Sequence, residues 1–337
     1  MTNRVVITGM GGVSSIGMSV PEIYNSLREG RPGIGQLEFP DITRLKVKTG
    51  GQIKNFDPSK YFELKQVGRT DRFSQFALLA AKEAITNAGL ENCKEEWPEN
   101  AGVILGSSIG GIETINYSYK QVFEKGHNRL HPLTIPKIMN NSATSLISIE
   151  YHIQGPSFTV SSACSSANHA MGIAYETIKS GKSKILITGG SESFLSFGGI
   201  KPWESLRVLS QSKCRPFSRG RDGLVHGEGA GIFVFESLAS AKKRKADIIA
   251  EVVGFAMSSD ASDLIKPNNI GPQKALEGVL KDAMINKTDV TYINAHGTGT
   301  MLNDKMESEA INKVFGRHSR SVKVSSTKAM HGHLIGA

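Results

Sequence analysis

Short β-branched runs alternate with amphipathic stretches along the whole of this sequence, and that alternation limits the fold more than any other feature. Arg4–Thr8, Gly102–Leu105, Ser157–Val160, Lys184–Thr188, Gly231–Phe235, Ile248–Val253, Val290–Asn294 and Ser321–Val324 read as strands. Asp71–Ala88, Ser165–Ser180 and Pro272–Ala283 carry the helical period between them. Strands alternating with helices predict an α/β fold with buried sheets. Several strands run straight into glycine, as in Val6-Ile7-Thr8-Gly9 and Leu186-Ile187-Thr188-Gly189-Gly190. Glycine there predicts tight strand-to-helix turns and close backbone approach.

At 337 residues the chain could hold two ordinary domains or one large duplicated one. No Pro/Ser-rich linker divides it. Phe158-Thr159-Val160-Ser161-Ser162 recurs as Val322-Lys323-Val324-Ser325-Ser326, and the two copies deliver Cys164 and Lys328 at matching positions. This echo favours duplication, with two α/β halves meeting at strand ends, where open α/β sheets hold ligands. Apolar runs such as Ile185–Thr188 are far short of the ~20 residues of a membrane span. The N-terminus enters a strand pattern with no secretory core. Cys93, Cys164 and Cys214 are too few and too scattered for a disulfide framework or a zinc spacing. A reduced, cytosolic globular protein is expected.

The net charge is +9, from 40 Lys+Arg against 31 Asp+Glu. The run Lys242-Lys243-Arg244-Lys245 reads as the solvated end of a helix-like Glu236–Ala241 segment. No nucleic-acid-binding signature accompanies it, so nucleic acid is a remote reading. Lys65, Arg69 and Arg72 open the Asp71–Ala88 helix pattern, where positive charge opposes the helix dipole; an acidic docking partner would account for them.

Three turns carry chemistry. In Val160-Ser161-Ser162-Ala163-Cys164-Ser165-Ser166, a cysteine among small residues follows a strand as a helix begins. Amides at a helix start stabilise an anion, which predicts a lowered thiol pKa. Cys93 and Cys214 have no such setting and read as small hydrophobes. In Asn294-Ala295-His296-Gly297-Thr298-Gly299-Thr300, a histidine opens a Gly/Thr loop able to present amides and hydroxyls. In Ser326-Thr327-Lys328-Ala329-Met330-His331-Gly332-His333, Lys328 and His333 again follow a strand. A cysteine, two histidines and a lysine at strand ends suggest nucleophilic acyl chemistry with imidazole donors at an oxyanion. Zinc held by two His and one Cys is the competing reading, ranked lower because no compact ligand pair sets its geometry.

With Val6-Ile7-Thr8-Gly9-Met10-Gly11, Arg215-Pro216-Phe217-Ser218 and Gly227-Glu228-Gly229-Ala230-Gly231, these turns resemble a β-ketoacyl-[acyl-carrier-protein] synthase along essentially the whole chain. The style is that of the elongating synthase II type. Gly199–Leu209, with Trp203, and Ser258–Asp263 are more similar to specialised members, such as nodulation protein E and the synthases of aryl-polyene or polyketide clusters. The resemblance implies an acyltransferase with a thiolase-like, duplicated α/β/α/β/α layered fold. Residues 1–246 would form the half carrying the nucleophile and 247–337 an incomplete half carrying the two catalytic histidines.

It further implies that Cys164 takes the acyl group from acyl carrier protein. His296 and His333 would bind the malonyl thioester carbonyl and assist decarboxylation, and Lys328 would order His333. Thr298 and Thr300 would hold the phosphopantetheine arm, and Lys65, Arg69 and Arg207 would dock the carrier. No metal and no cofactor beyond the carrier's 4′-phosphopantetheine are implied; the subunit would be a homodimer or pair with a chain-length-factor-like partner. The chain ends at Gly336-Ala337 inside the Gly-His-x-x-Gly-Ala motif, so a C-terminally truncated synthase lacking the Gly-Phe-Gly-Gly loop is also implied. That loop supplies one oxyanion amide, and losing one typically costs ~10²–10³ in rate. The alternatives are an inactive truncated synthase or a chain-length-factor-like partner, though such partners lack the cysteine. A degradative thiolase would need a second catalytic cysteine after Cys214.

Overall fold

The structure is a computed structural model and describes residues 2–91, 97–263 and 265–337. Its strands are β1 (Val5–Ser14), β2 (Gly35–Gln36), β3 (Thr49–Gly50), β4 (Ala101–Gly106), β5 (Ser157–Val160), β6 (Ile185–Glu192), β7 (Gly229–Ser237), β8 (Ala250–Val252), β9 (Tyr292–Asn294) and β10 (Lys323–Ser325). Every strand and helix read from the sequence is present, with shifted ends.

The main sheet has six strands in the order β5-β4-β6-β7-β1-β8. β4 lies parallel to both β5 and β6, whereas β6–β7, β7–β1 and β1–β8 are antiparallel. Helices cover both faces. Phe73, Phe76, Ala77 and Ala80 of the Arg72–Asn87 helix pack with Ile147 against β4, β6 and β7 on one side. Ala170, Ala174 and Ile178 of the Ser166–Lys179 helix pack against Ile104, Leu186 and Phe235 on the other. β9 and β10 form a separate parallel pair. It is covered by Ile311, Val314 and Phe315 of the Met301–Phe315 helix, which Leu276 and Leu280 back from the Ile270–Ala283 helix. The two copies of the echo are thus β5 and β10, each half of a parallel pair and each feeding a chemical turn.

The glycines after the strand runs do not make turns. β1 continues through Gly9 and Gly11 to Ser14, and β6 through Gly189 and Gly190 to Glu192. A Cβ on Gly9 would lie 2.1 Å from the Ala84 carbonyl oxygen, and one on Gly11 2.0 Å from that of Ala80. These glycines let a helix rest directly on the sheet backbone, giving the dense packing that buries both.

One arginine in each of the two basic clusters changes meaning. β7 runs to Ser237, so Glu236 is a fully buried strand residue and not part of a helix. The short helix Leu238–Lys243 does end in exposed Lys242 and Lys243, while Arg244 at its C-cap folds back, with Nη2 2.7 Å from Glu236 Oε2. Arg72 pairs with buried Glu228 at 2.7 Å and donates to the Ile53 carbonyl at 2.8 Å. Both arginines neutralise interior carboxylates, which would otherwise be unpaired buried charges. Among the described residues no helix is long and apolar enough to cross a membrane.

Candidate active site

Cys164 sits on a strained elbow. β5 ends at Val160, Ala163 adopts the left-handed φ of 51°, and the helix starts at Ser166. The Ala163 carbonyl accepts hydrogen bonds from Ser108 Oγ (2.8 Å) and Ser166 Oγ (2.7 Å), and Ser162 N–H donates to Ser166 Oγ (2.9 Å). Small side chains are required here. A Cβ on Gly106 at the end of β4 would lie 2.2 Å from the Ala167 amide, so any larger residue would displace the helix that carries the elbow.

His296 follows β9, which hydrogen-bonds to β10 through Ala295 N–H and the Ser325 carbonyl. Its loop is held by two acidic residues of the Met301–Phe315 helix. Glu307 accepts from the amides of His296 (2.7 Å) and Gly297 (2.8 Å); Asp304 accepts from those of Gly299 (3.1 Å) and Phe217 (2.7 Å). The Arg215–Ser218 segment therefore packs as part of the same support.

His333 is buried and fixed at both ends. Its amide donates to the Val225 carbonyl and its carbonyl accepts from Gly227 N–H. Its Nδ1 accepts a 2.9 Å hydrogen bond from Ile335 N–H. In the neutral ring the proton must then reside on Nε2, which lies 3.1 Å from Cys164 Sγ. His333 is thereby a donor toward the sulfur and not a base. Its ring meets His296 edge to face with centroids 5.4 Å apart.

The electrostatics follow from burial. The His333 pKa is held well below the ordinary histidine value, first by burial and then by His296, Lys328, His226 and His331. Burial with Lys328 takes His296 and His331 down to about 4. Lys328 itself is lowered by burial, against the pull of Glu307 and Cys164. The lowered thiol pKa expected from the helix start is not the net result. Burial pushes Cys164 up, Lys328 and its own amide pull it down, and Glu192 adds to the rise.

Other expected residues are less concentrated. Thr298 Oγ1 and Thr300 Oγ1 pair at 2.9 Å beside the His296 loop. Lys65 and Arg69 are exposed on their own short helix, Leu64–Arg69, and Arg207 is exposed after Phe197–Leu206. Arg72, paired inside, is removed from the docking cluster. Cys214 is buried with its thiol pushed up to about 11 by burial. Cys93 lies outside the described residues. The ligating atoms of Cys164, His296 and His333 fall within 4.8 Å of one another, close enough to consider a metal. The 3.1 Å separation of Sγ and Nε2 is that of a direct hydrogen bond, shorter than the ~3.5 Å expected across a tetrahedral zinc.

Glu307, Asp304, Ser108 and Glu192 are not legible as site residues; the nearest local signal is the two acids, Asp304 and Glu307, a turn apart in the helix that follows Gly-Thr-Gly-Thr. His226 was also missed. It is 2% exposed between Phe194 and Trp203, at centroid distances of 4.5 and 4.9 Å, and among the described residues neither ring nitrogen has a hydrogen-bond partner. Burial lowers its pKa from 6.5 to about 3. The unfolded chain takes up this proton below about 6.5 while the folded one does not, so stability is lost as pH falls from about 6.5 toward 3. Urea unfolding of His226→Leu should show a pH slope smaller by about 1.4 kcal/mol per unit in that window, with unchanged or higher stability at neutral pH.

Comparison with known proteins agrees with this geometry. The model of the β-ketoacyl synthase N-terminal domain matches residues 2–241, and that of the C-terminal domain matches 249–337. The chain is 44% identical to nodulation protein E of Rhizobium sp. (strain N33), covering 100% of itself and 83% of that protein. It is 39% identical to 3-oxoacyl-[acyl-carrier-protein] synthase 2 of Staphylococcus aureus (strain COL), covering 99% and 82%. Among solved structures it is similar to the ishigamide ketosynthase/chain length factor, with TM-score 0.94, 32% identity and coverage of 100% and 83%. It is also similar to a type II polyketide acyl-carrier protein in complex with its ketosynthase, with TM-score 0.88, 29% identity and coverage of 99% and 83%. The fold is therefore the thiolase-like ketosynthase fold, and the chain belongs to the β-ketoacyl synthase family of condensing acyltransferases.

Proposed function

We propose that Cys164 is the acyl acceptor in a decarboxylative Claisen condensation that elongates fatty acyl or polyketide chains. The observation that carries this reading is the Nε2–H of His333 aimed at Cys164 Sγ from 3.1 Å, with its other nitrogen occupied. Cys164 thiolate attacks the thioester carbonyl of an acyl carrier; the carrier thiol leaves with the proton. A malonyl thioester then loses CO₂, and its carbonyl becomes an enolate that accepts hydrogen bonds from His296 and His333. The enolate carbon attacks the acyl-Cys carbonyl, the C–S bond breaks, and a 3-oxoacyl thioester two carbons longer departs. Neutral imidazoles suit this role, because a buried donor stabilises developing charge without losing a proton. Lys328 opposes protonation of both rings and favours the thiolate.

Substrates arrive on phosphopantetheine, with Thr298 and Thr300 beside its path, and the chemistry requires no resident metal. Residues 1–246 supply the nucleophile and 247–337 the donors. The partner is acyl carrier protein, docked at Lys65, Arg69 and Arg207. Lys65→Glu with Arg69→Glu should raise KM for acyl carrier about tenfold or more, leave kcat nearly unchanged, and matter less at high salt. Steady-state rates on free pantetheine thioesters should not change.

β5 is an edge strand with Phe158 41% exposed. An unpaired edge of this kind calls for a partner strand, supporting a homodimer or a pairing with a chain-length-factor-like subunit. The presence of Cys164 argues against the chain being the silent member of such a pair. A reducing, cytosolic setting suits the free thiol.

The similarity to nodulation protein E and to the ishigamide ketosynthase supports the specialised reading over housekeeping synthesis. The test is incubation with saturated and polyenoyl acyl carriers plus malonyl carrier. Elongation of polyenoyl chains is expected. Elongation of saturated chains alone would remove the specialised reading, and no condensation from any donor would remove the general one.

A further inference from the structure

One buried carboxylate touches both turns that carry the chemistry. Glu192, the last residue of β6, is 0% exposed. It accepts hydrogen bonds from Ser108 N–H (2.6 Å), Ile109 N–H (3.3 Å), Ser107 Oγ (3.2 Å) and Gly336 N–H (3.2 Å). The first three belong to the loop whose Ser108 hydroxyl holds the Ala163 carbonyl, immediately before Cys164. The fourth follows Ile335, whose amide occupies Nδ1 of His333.

Both turns are strained. Ala163 has φ 51° and Ile335 has φ 53°. For a β-branched residue such as Ile335 that conformation is rare and persists only where its surroundings enforce it. Glu192 reaches the supports of both. We infer that Glu192 is a positioning residue of the condensation site, a single carboxylate that fastens the Cys164 elbow and the His333 turn to each other. This rests on the acyl-transfer reading above and adds a residue to it.

The physical argument is one of acceptor count. The three amides around Glu192 can only donate, so an ionised carboxylate satisfies them together with the Ser107 hydroxyl, while a neutral acid or an amide side chain places a donor against amide donors. At least one tether is then lost, Ile335 relaxes, and His333 is free to change tautomer. The groups packed on the carboxylate are the 107–110 loop, which presents amides and a hydroxyl, and the Gly336 amide; among titratable groups, the Cys164 thiol feels its charge. Burial raises the Glu192 pKa to about 7, which puts loss of the tethers within reach of solution pH.

Two measurements test this. In the wild-type chain with ¹⁵N-labelled histidine, His333 should show the Nε2–H tautomer alone at pH 8 and lose it as pH falls through about 7. In Glu192→Gln both tautomers should be present at every pH. This readout needs no substrate, so it stands apart from the acyl-transfer reading, which fails if the wild-type chain acylates nothing. In kinetics, Glu192→Gln should lower kcat for malonyl decarboxylation by about 10- to 100-fold with KM little changed, and abolish the acid limb of the pH profile. Ser108→Ala, which spares the carboxylate, should slow acylation and keep that limb. A His333 tautomer unaffected in a folded Glu192→Gln overturns the inference. Should that variant not fold, a wild-type tautomer constant from pH 6 to 8 does so.

Discussion

Cys164→Ala should leave a folded protein that no longer elongates acyl chains but still decarboxylates malonyl carrier. Removing Sγ takes away the nucleophile that the proposed mechanism requires, and deleting the nucleophile of a covalent mechanism costs on the order of 10⁶ in rate. The elbow itself does not depend on the sulfur: Ala163 is held by Ser108 and Ser166. His296 and His333 keep their loop and backbone supports, so the enolate site survives. Condensation and decarboxylation should therefore separate. Their joint loss would mean that Cys164 has a structural task in addition to the chemical one.

His333→Ala should give the opposite separation. The acyl adduct on Cys164 still forms, because the thiolate retains Lys328, its own amide and the helix start. Decarboxylation and condensation should fall by ~10²–10³, the usual loss for one preorganised donor to an oxyanion. His296→Ala should behave alike, and the double variant should lose less than the product of the two, since both rings serve one oxygen. A pre-steady-state burst measured on each variant distinguishes acylation from the later steps. If His333→Ala abolished the burst while sparing decarboxylation, the roles given to the ring would be reversed.

The three chemical turns are legible in the sequence because each joins a short β-branched run to small residues, a pattern that shows where a strand stops and side chains become accessible. The supports are not, because they are distant in the chain. Glu192 meets Ser108 across 84 positions and Gly336 across 144. Arg72 meets Glu228 across 156, so its charge reads as a surface feature until the sheet places the carboxylate beside it. Gly9 and Gly11 have the same local pattern whether a strand turns or a helix lies against it; only the Ala80 and Ala84 carbonyls decide. The thiol pKa departs from the expectation for a related reason. The helix start is local and visible, whereas the burial that outweighs it comes from the assembled site.

The central claim is that Cys164 carries the growing chain. Intact-protein and peptide mass spectrometry after incubation with an acyl carrier, followed by malonyl carrier, tests it most directly. The account predicts one acyl mass increment on the peptide containing Cys164, which disappears on addition of malonyl carrier as the 3-oxoacyl product forms. An increment on Cys214 or Cys93, or one on Cys164 that malonyl carrier does not remove, would contradict it.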